Sequence, residues 1–188
     1  MVKKIYLVHG WGGSSQEPWF NWLKKDMEKK KFEVHAFDMP DTENPKISEW
    51  VNYLRENIEI DEIDEHTYFV GHSIGCQTIL RFLEKLPKSK KIGGCIFVAP
   101  WLDLINIGSE ELEIVQPWIN SKIDFGRILT HDTKFFCIFS DNDPYVHLDE
   151  AKKFKDKLGA KIIFKKKQGH FNSESGVKEI PEILQFLR

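Results

Sequence analysis

Cysteine is scarce in this sequence, and its spacing fits neither a disulfide framework nor a metal site. The 188 residues include three cysteines, an odd number, at Cys76, Cys95 and Cys137. Each lies in an apolar run and none forms a C-x-x-C pair. This pattern is typical of a protein from a reducing compartment, and we expect a cytoplasmic location.

Long hydrophobic runs and an excess of charge of one sign are also missing. The apolar run 5–8 near the start ends at His9. It is far shorter than a membrane-spanning helix, which needs roughly 20 residues, and it is also too short for the core of a secretion signal. With 27 basic and 29 acidic residues the net charge is −2. The sequence therefore predicts a soluble protein that binds neither membranes nor nucleic acid.

Three common cofactor motifs are absent from the chain. There is no His-Glu-x-x-His pair for zinc, no Gly-Lys-Ser/Thr loop for phosphate, and no dinucleotide glycine fingerprint after the first strand. We therefore expect chemistry that needs neither a metal nor an organic cofactor.

What the chain does contain is enough apolar material for one folded domain over residues 1–188. Hydrophobic residues make up 41% and aromatic residues 13% of the sequence, which excludes a disordered chain. Strand patterns alternate with helix patterns from end to end, and this order predicts an α/β fold. We expect a mainly parallel sheet of about six strands with helices on both faces and no large cap domain. The predicted strands are 5–8, 32–38, 67–70, 92–98, 135–139 and 161–164.

Two helical regions carry proline and are harder to interpret. Between residues 101 and 133 the pattern is irregular, with one or two helical turns at 110–114 that Pro117 is expected to interrupt. Apolar residues at 177, 180, 183, 184 and 187 predict a last helix, although Pro181 disfavours its first turn.

A serine stands where the third strand passes into a helix. Gly71-x-Ser73-x-Gly75 follows the β-branched and aromatic run 67–70 and precedes an amphipathic helix. Glycines on both sides let the backbone pass close to the serine, as in the nucleophile elbow of serine hydrolases. A serine that merely caps the helix is the simpler alternative. Cys76, three residues on, is a second candidate nucleophile, but a small buried residue fits its position better.

A serine nucleophile needs a base, and His170 is the best placed of the seven histidines. It follows the last predicted strand, between Gly169 and Phe171, and precedes the last predicted helix. An isolated Gly-His pair could also be an ordinary exposed loop. His9 and His72 lie beside glycine turns, where they are expected to point away or to orient loops.

The carboxylate that orients the base should follow the strand before the last one. Asp141 and Asp143 are both there, and we favour Asp143 because Pro144 restricts its backbone. Asp141 is the alternative and looks more like a residue that shapes the loop. The chain order Ser73, Asp143, His170 is the order of α/β-hydrolases.

An oxyanion hole needs two backbone N–H groups at the same edge. We expect them from Ile74, at the helix N-terminus, and from Trp11, in the glycine-rich loop after the first strand. Trp101 and Trp118, in the irregular segment, are candidates for binding substrate, although packing on the sheet is equally compatible with the pattern.

Taken together, these motifs resemble the small α/β-hydrolase family that contains retinoblastoma-binding protein 9 and the bacterial YdeN proteins. The resemblance implies a lidless single-domain serine hydrolase whose triad is Ser73, Asp143 and His170. One departure is that the chain has no Leu-x-Cys-x-Glu stretch, the ligand of the retinoblastoma pocket, so binding to that partner is not implied. The stretches that carry the resemblance are 9–13, 71–75, 99–100, 117–118, 143–146 and 169–172.

The sequence thus predicts hydrolysis of a small-molecule carboxylic ester, or of a thioester or amide, through an acyl-enzyme on Ser73. The alternative is a protein-binding module that kept the hydrolase scaffold without its chemistry. An intact triad favours the enzyme, because a scaffold has no need of all three residues.

Overall fold

Six parallel strands form the sheet at the centre of the molecule. A computed structural model describes residues 2–187. Within that range the strand order is β2-β1-β3-β4-β5-β6, and all five neighbouring pairs are parallel. The strands are β1 Lys4–Val8, β2 Glu33–Phe37, β3 Thr67–His72, β4 Gly94–Val98, β5 Phe135–Ser140 and β6 Lys161–Lys165.

The burial of the strands follows their place in the sheet. Every residue of β3 and β4, the two central strands, is buried, as expected for parallel strands covered on both faces. The edge strand β6 has no fully buried residue, and Phe164 is 59% exposed. The continuous apolar runs of the sequence therefore mark the middle of the sheet correctly, and the expected α/β architecture is confirmed.

In the part of the chain that the structure describes, six α-helices connect and cover the strands. Helix α1 begins at Pro18, which suits a first helical position because its missing N–H has no partner there. Helix α3 is buried along its whole length and packs on β1 and β3. The helices are α1 Pro18–Lys29, α2 Ile47–Asn57, α3 Ile74–Leu83, α4 Ser109–Asn120, α5 Phe125–Leu129 and α6 Glu150–Leu158. Across residues 2–187, none of them combines the length and apolarity required to cross a membrane.

The strand order places a crevice at one edge of the sheet. From β1 the chain moves outward to β2 and then returns past β1 to form β3 on its other side. Ligands of open α/β sheets bind at the carboxyl ends of strands where the order reverses. Here that point lies between the ends of β1 and β3, where the loop 9–13 and Ser73 follow.

The two expectations for proline-containing helices were wrong in different ways. Pro117 lies inside α4, which continues to Asn120. The backbone stays helical beyond the proline, and the C=O of Pro117 accepts a bond of 3.1 Å from Ser121 N–H. The predicted last helix is instead a short 3₁₀ helix, Pro181–Gln185, that begins at its proline. Its apolar residues are nevertheless largely buried: Val177, Ile180, Ile183 and Leu187.

Candidate active site

Ser73 occupies a strained turn between β3 and α3. Its backbone φ is 51° and its ψ is −122°, a combination that costs a non-glycine residue about 1–3 kcal/mol and that recurs at functional sites. The turn is tight because Gly75 packs on the end of β1: a Cβ there would lie 2.4 Å from the carbonyl oxygen of Val8. The Ser73 N–H donates to Val98 O at 2.9 Å, which ties the turn to β4.

The hydroxyl of Ser73 faces the indole of Trp101. Trp101 Nε1–H donates to Ser73 Oγ at 3.2 Å, and the indole is 1% exposed. Within residues 2–187 the Ser73 hydroxyl makes this one hydrogen bond, and no hydrogen bond joins it to His170. Trp101, a candidate for binding substrate, therefore contacts the candidate nucleophile itself.

His170 and Asp143 are in contact at the ends of the last two strands. His170 Nδ1 lies 3.0 and 2.9 Å from the two carboxylate oxygens of Asp143, so the Nδ1–H donates and Nε2 remains free to accept a proton. Asp143 Oδ1 also accepts backbone N–H bonds from Tyr145 and Val146, at 2.9 and 3.1 Å. These bonds hold the carboxylate in one orientation, and its side chain is 2% exposed.

Asp141, the other candidate carboxylate, makes a different contact. Its Oδ1 accepts the backbone N–H of Lys167 at 2.8 Å and so links the loops that follow β5 and β6. Asn142 adds a second link, because its Oδ1 accepts the Gly169 N–H at 2.9 Å. The two residues together hold the His170 loop near the end of β5.

His72, next to the nucleophile, holds the backbone of His170. Its Nε2 lies 2.7 Å from the carbonyl oxygen of His170, which can only accept, so the proton of His72 is on Nε2. The ring is 4% exposed, and burial lowers the pKa of His72 to about 3. A neutral imidazole thus connects the elbow to the loop of the candidate base, in agreement with the expectation that this histidine orients a loop.

The loop after β1 fixes the peptide group that carries the Trp11 N–H. The carbonyl of Gly10 accepts from His9 Nδ1–H at 2.7 Å and from Gly13 N–H at 3.1 Å. Met39 N–H donates to His9 Nε2 at 3.0 Å and fixes the ring, which is fully buried. In a trans peptide the N–H points opposite to the carbonyl, so the Trp11 N–H is turned away from these groups.

Both candidate oxyanion donors border one cavity. Trp11 and Ile74 line it together with Ser73 and His170, and its volume is about 560 Å³. No hydrogen bond within residues 2–187 occupies the N–H of Trp11 or of Ile74. The cavity size falls in the range of small-molecule sites, roughly 300–1,000 Å³.

Trp118 does not reach this cavity. It is 1% exposed, and its Nε1–H donates to the carbonyl oxygen of Pro45 at 2.8 Å. Its indole also packs against Trp50, with ring centroids 6.1 Å apart. The expectation that Trp118 binds substrate in the Ser73 cavity is therefore not met, because the side chain serves the core between α2 and α4.

Cys76 has the surroundings of a core residue. It is fully buried, and its thiol lies 3.6 Å from Val98 O. Burial raises the pKa of the Cys76 thiol well above its usual value, whereas a nucleophilic cysteine needs a lowered pKa and access to solvent. Among residues 2–187 all three cysteines are free thiols.

Some features of the site carry no sequence signal. Glu17 lines the cavity but lies outside every motif, unlike Tyr145 and Asn172, which belong to the stretches 143–146 and 169–172. The hydrogen bonds of His72 and Asn142 to the His170 loop span 98 and 27 positions of the sequence. Such contacts depend on how the loops meet, so a pattern along the chain could not reveal them.

Comparison with known proteins points to one family. A family model described as serine hydrolase matches residues 5–188. The chain is 28% identical over 187 residues to YdeN of Bacillus subtilis (strain 168), which covers 100% of this chain and 95% of that protein. It is 26% identical over 173 residues to the serine hydrolase RBBP9 of Rattus norvegicus, covering 90% and 88% of the two chains.

Solved structures lead to the same family. The crystal structure of the B. subtilis ydeN gene product superposes with a TM-score of 0.88 and covers 99% of this chain and 97% of that one, at 28% identity. Est1E from Butyrivibrio proteoclasticus shares the fold alone, with a TM-score of 0.71 at 13% identity over 99% and 88% of the chains. The resemblance noted in the sequence is confirmed, and the chain belongs to the serine hydrolase family.

Proposed function

We propose that the protein hydrolyses a carboxylic ester through an acyl-enzyme on Ser73, with His170 as the base and Asp143 as the orienting acid. The observation that carries this proposal is the contact between His170 Nδ1 and both oxygens of Asp143, at the rim of the cavity that Ser73 lines. A base and an acid held in this way have a clear use only if a nearby group must lose a proton.

In the first step His170 Nε2 takes the proton of Ser73 while Oγ attacks the ester carbonyl. Because Oγ accepts the bond from Trp101, its own proton is left to donate to His170 Nε2. Catalytic hydrogen bonds of this kind often form only when the substrate is in place. Asp143 keeps the proton of the neutral imidazole on Nδ1 and stabilises the imidazolium once it forms.

The N–H groups of Trp11 and Ile74 donate hydrogen bonds to the carbonyl oxygen and stabilise the negative charge that develops on it. Ile74 is the first residue of α3, and the helix N-terminus adds its own partial positive charge. Each such donor is worth about 3 kcal/mol of transition-state stabilisation in comparable enzymes. Protonated His170 then gives its proton to the leaving alkoxide, and the alcohol departs.

Water releases the acid in the second step. His170, neutral again, accepts a proton from the attacking water and returns it to Ser73 Oγ as the tetrahedral intermediate collapses to the carboxylic acid and free Ser73. No step needs a metal or an organic cofactor. A thioester or an amide would pass through the same intermediates, and the ester is proposed as the simplest substrate. The buried free thiols fit the proposed cytoplasmic location.

Labelling with a fluorophosphonate probe tests the proposal. We expect native protein to react at Ser73, because the probe phosphonylates only an activated serine, and Ser73→Ala to remain unlabelled. With 4-nitrophenyl acetate as substrate, Ser73→Ala should lose about 10⁴-fold or more in kcat. Mass spectrometry of the labelled peptide identifies the modified residue.

The same experiment separates the enzyme from a binding module. A native protein that resists the probe as completely as Ser73→Ala would show that the scaffold has no serine chemistry. Label on Cys76 would equally contradict the proposal. Circular dichroism of both forms checks that they share one fold.

A further inference from the structure

The cavity around Ser73 has an unusual balance of charge. The chain as a whole is nearly neutral, with 27 basic and 29 acidic residues. The residues that line the cavity include no lysine and no arginine but five glutamates, which are Glu17, Glu43, Glu110, Glu111 and Glu174. In the part of the chain that the structure describes, none of these five forms a salt bridge. Their negative charge is therefore not cancelled by protein groups in contact with them.

Four of the five glutamates are exposed at the mouth, whereas Glu17 is half-buried inside it. Among residues 2–187, Glu17 Oε2 is buried and has no hydrogen-bond partner. Burial raises the pKa of Glu17 above its usual value, and the backbone N–H of Ser173 partly offsets the effect. Solvent does not reach this oxygen, so it does not itself face the cavity, but no protein donor compensates its charge where Glu17 borders the cavity.

The position of Glu17 suits recognition of a substrate. It directly precedes α1, and Ser173, whose N–H faces it, lies three residues after His170. The lining also contains apolar side chains, Leu104, Ile107 and Ile114. The cavity can thus hold an apolar chain that ends in a group able to donate a hydrogen bond to a carboxylate.

We propose that the substrate carries a positively charged nitrogen and that Glu17 is the residue that selects it. The inference rests on the proposed function, because it names the substrate class of the same site. The exposed glutamates at the mouth attract the cation over a longer range, and Glu17 binds it directly. Anionic substrates are disfavoured by the same charges.

Three esters of matched length test the proposal on the acyl side. They are 4-nitrophenyl 6-aminohexanoate, heptanoate and hydrogen hexanedioate, which end in an ammonium, a methyl and a carboxylate group. We expect kcat/KM for the ammonium ester to exceed that for the carboxylate ester by at least about tenfold, the effect of one favourable charge contact. On the alcohol side, acetylthiocholine is compared with its neutral isostere 3,3-dimethylbutyl thioacetate.

Glu17→Gln is the decisive variant, and Glu56→Gln is its matched control. Glu56 is exposed on α2 and does not line the cavity, yet its replacement changes the net charge equally. We expect the preference for the cation to fall about tenfold in Glu17→Gln and to stay unchanged in Glu56→Gln. In native protein, added salt should lower kcat/KM for the ammonium ester and not for heptanoate, a readout that requires no variant.

The outcomes separate the two proposals. If heptanoate is hydrolysed but neither series shows a preference for the cation, or Glu17→Gln keeps that preference, Glu17 is not the selecting residue and the inference fails. If no ester is hydrolysed and the fluorophosphonate does not label Ser73, the proposed function itself fails.

Discussion

At the scale of single residues, two aspartates two positions apart make contrasting contacts. Asp143 holds the imidazole of His170 through both carboxylate oxygens. Asp141 holds the backbone of Lys167 through one oxygen. An asparagine keeps an acceptor oxygen but loses the charge and offers an amide N–H in place of one oxygen, so the same substitution has different consequences at the two positions.

We predict that Asp143→Asn lowers kcat by about 10⁴-fold, because the amide N–H would favour the wrong tautomer of His170. Asp141→Asn should stay within about tenfold of the native kcat, since its amide oxygen still accepts the Lys167 N–H. The assay is steady-state hydrolysis of 4-nitrophenyl acetate. Equal losses in the two variants would show that the contact seen at Asp143 does not orient the base.

At the scale of elements, one arginine joins α3 to the end of α4. Arg81, 3% exposed on α3, donates to the carbonyl oxygens of Trp118 and Ser121 at 2.9 and 3.0 Å. A third bond runs to Gln77 Oε1 at 3.0 Å. The positive guanidinium thus meets carbonyls at the helix C-terminus, where a cation is favourable. Since α4 also supplies Ile114 to the cavity wall, this contact connects the core with the site.

We predict that Arg81→Met lowers the free energy of unfolding by about 3 kcal/mol, because it leaves buried carbonyl groups without a donor. KM should also rise, because α4 supplies Ile114 to the cavity wall and would be held less firmly. Urea denaturation and ester kinetics measure the two effects. Arg55→Met is the matched control, because Arg55 is exposed on α2. A loss of stability in Arg81→Met no larger than in that control would contradict the role of the contact.

Two proline-containing segments show what local sequence patterns can and cannot predict. Pro117 wrongly predicted an interruption of α4, whereas the apolar spacing at 177–187 wrongly predicted an α-helix at the end of the chain. At Pro117 the surrounding contacts keep a helix that local preference would end. At Pro181 the chain forms a 3₁₀ helix that buries Ile183, and Leu187 is buried just beyond it. Burial was predicted correctly at these positions because it depends on apolar character, whereas conformation depends on what the segment packs against.

At the scale of the whole molecule, two buried neutral histidines connect protonation to stability. Burial lowers the pKa of His72 to about 3 and also lowers that of His9. In the unfolded chain a histidine has a pKa of about 6.5. Between these values the unfolded state binds more protons than the folded state, so the free energy of unfolding falls as the pH falls.

We predict a slope of about 1.4 kcal/mol per pH unit from His72 below about pH 6.5, with a further contribution from His9. Urea denaturation between about pH 6.5 and 5, above the range in which most carboxylates titrate, measures this slope. His72→Gln should reduce it, because the amide does not titrate and still offers an N–H to the carbonyl of His170. His147→Gln is the control, since that imidazole is exposed. An unchanged slope in His72→Gln would mean that His72 becomes protonated without unfolding.

Local order along the chain determined the alternation of strands and helices, the glycine-flanked turn at Ser73 and the placement of His170 and Asp143 after the last strands. These features follow from side-chain periodicity and backbone freedom, which act over a few residues. Only the tertiary structure decided which aspartate meets His170, that Trp101 contacts Ser73 while Trp118 serves the core, and that Glu17 enters the cavity. Those contacts join residues from separate loops, and their distances depend on how the sheet brings the loops together.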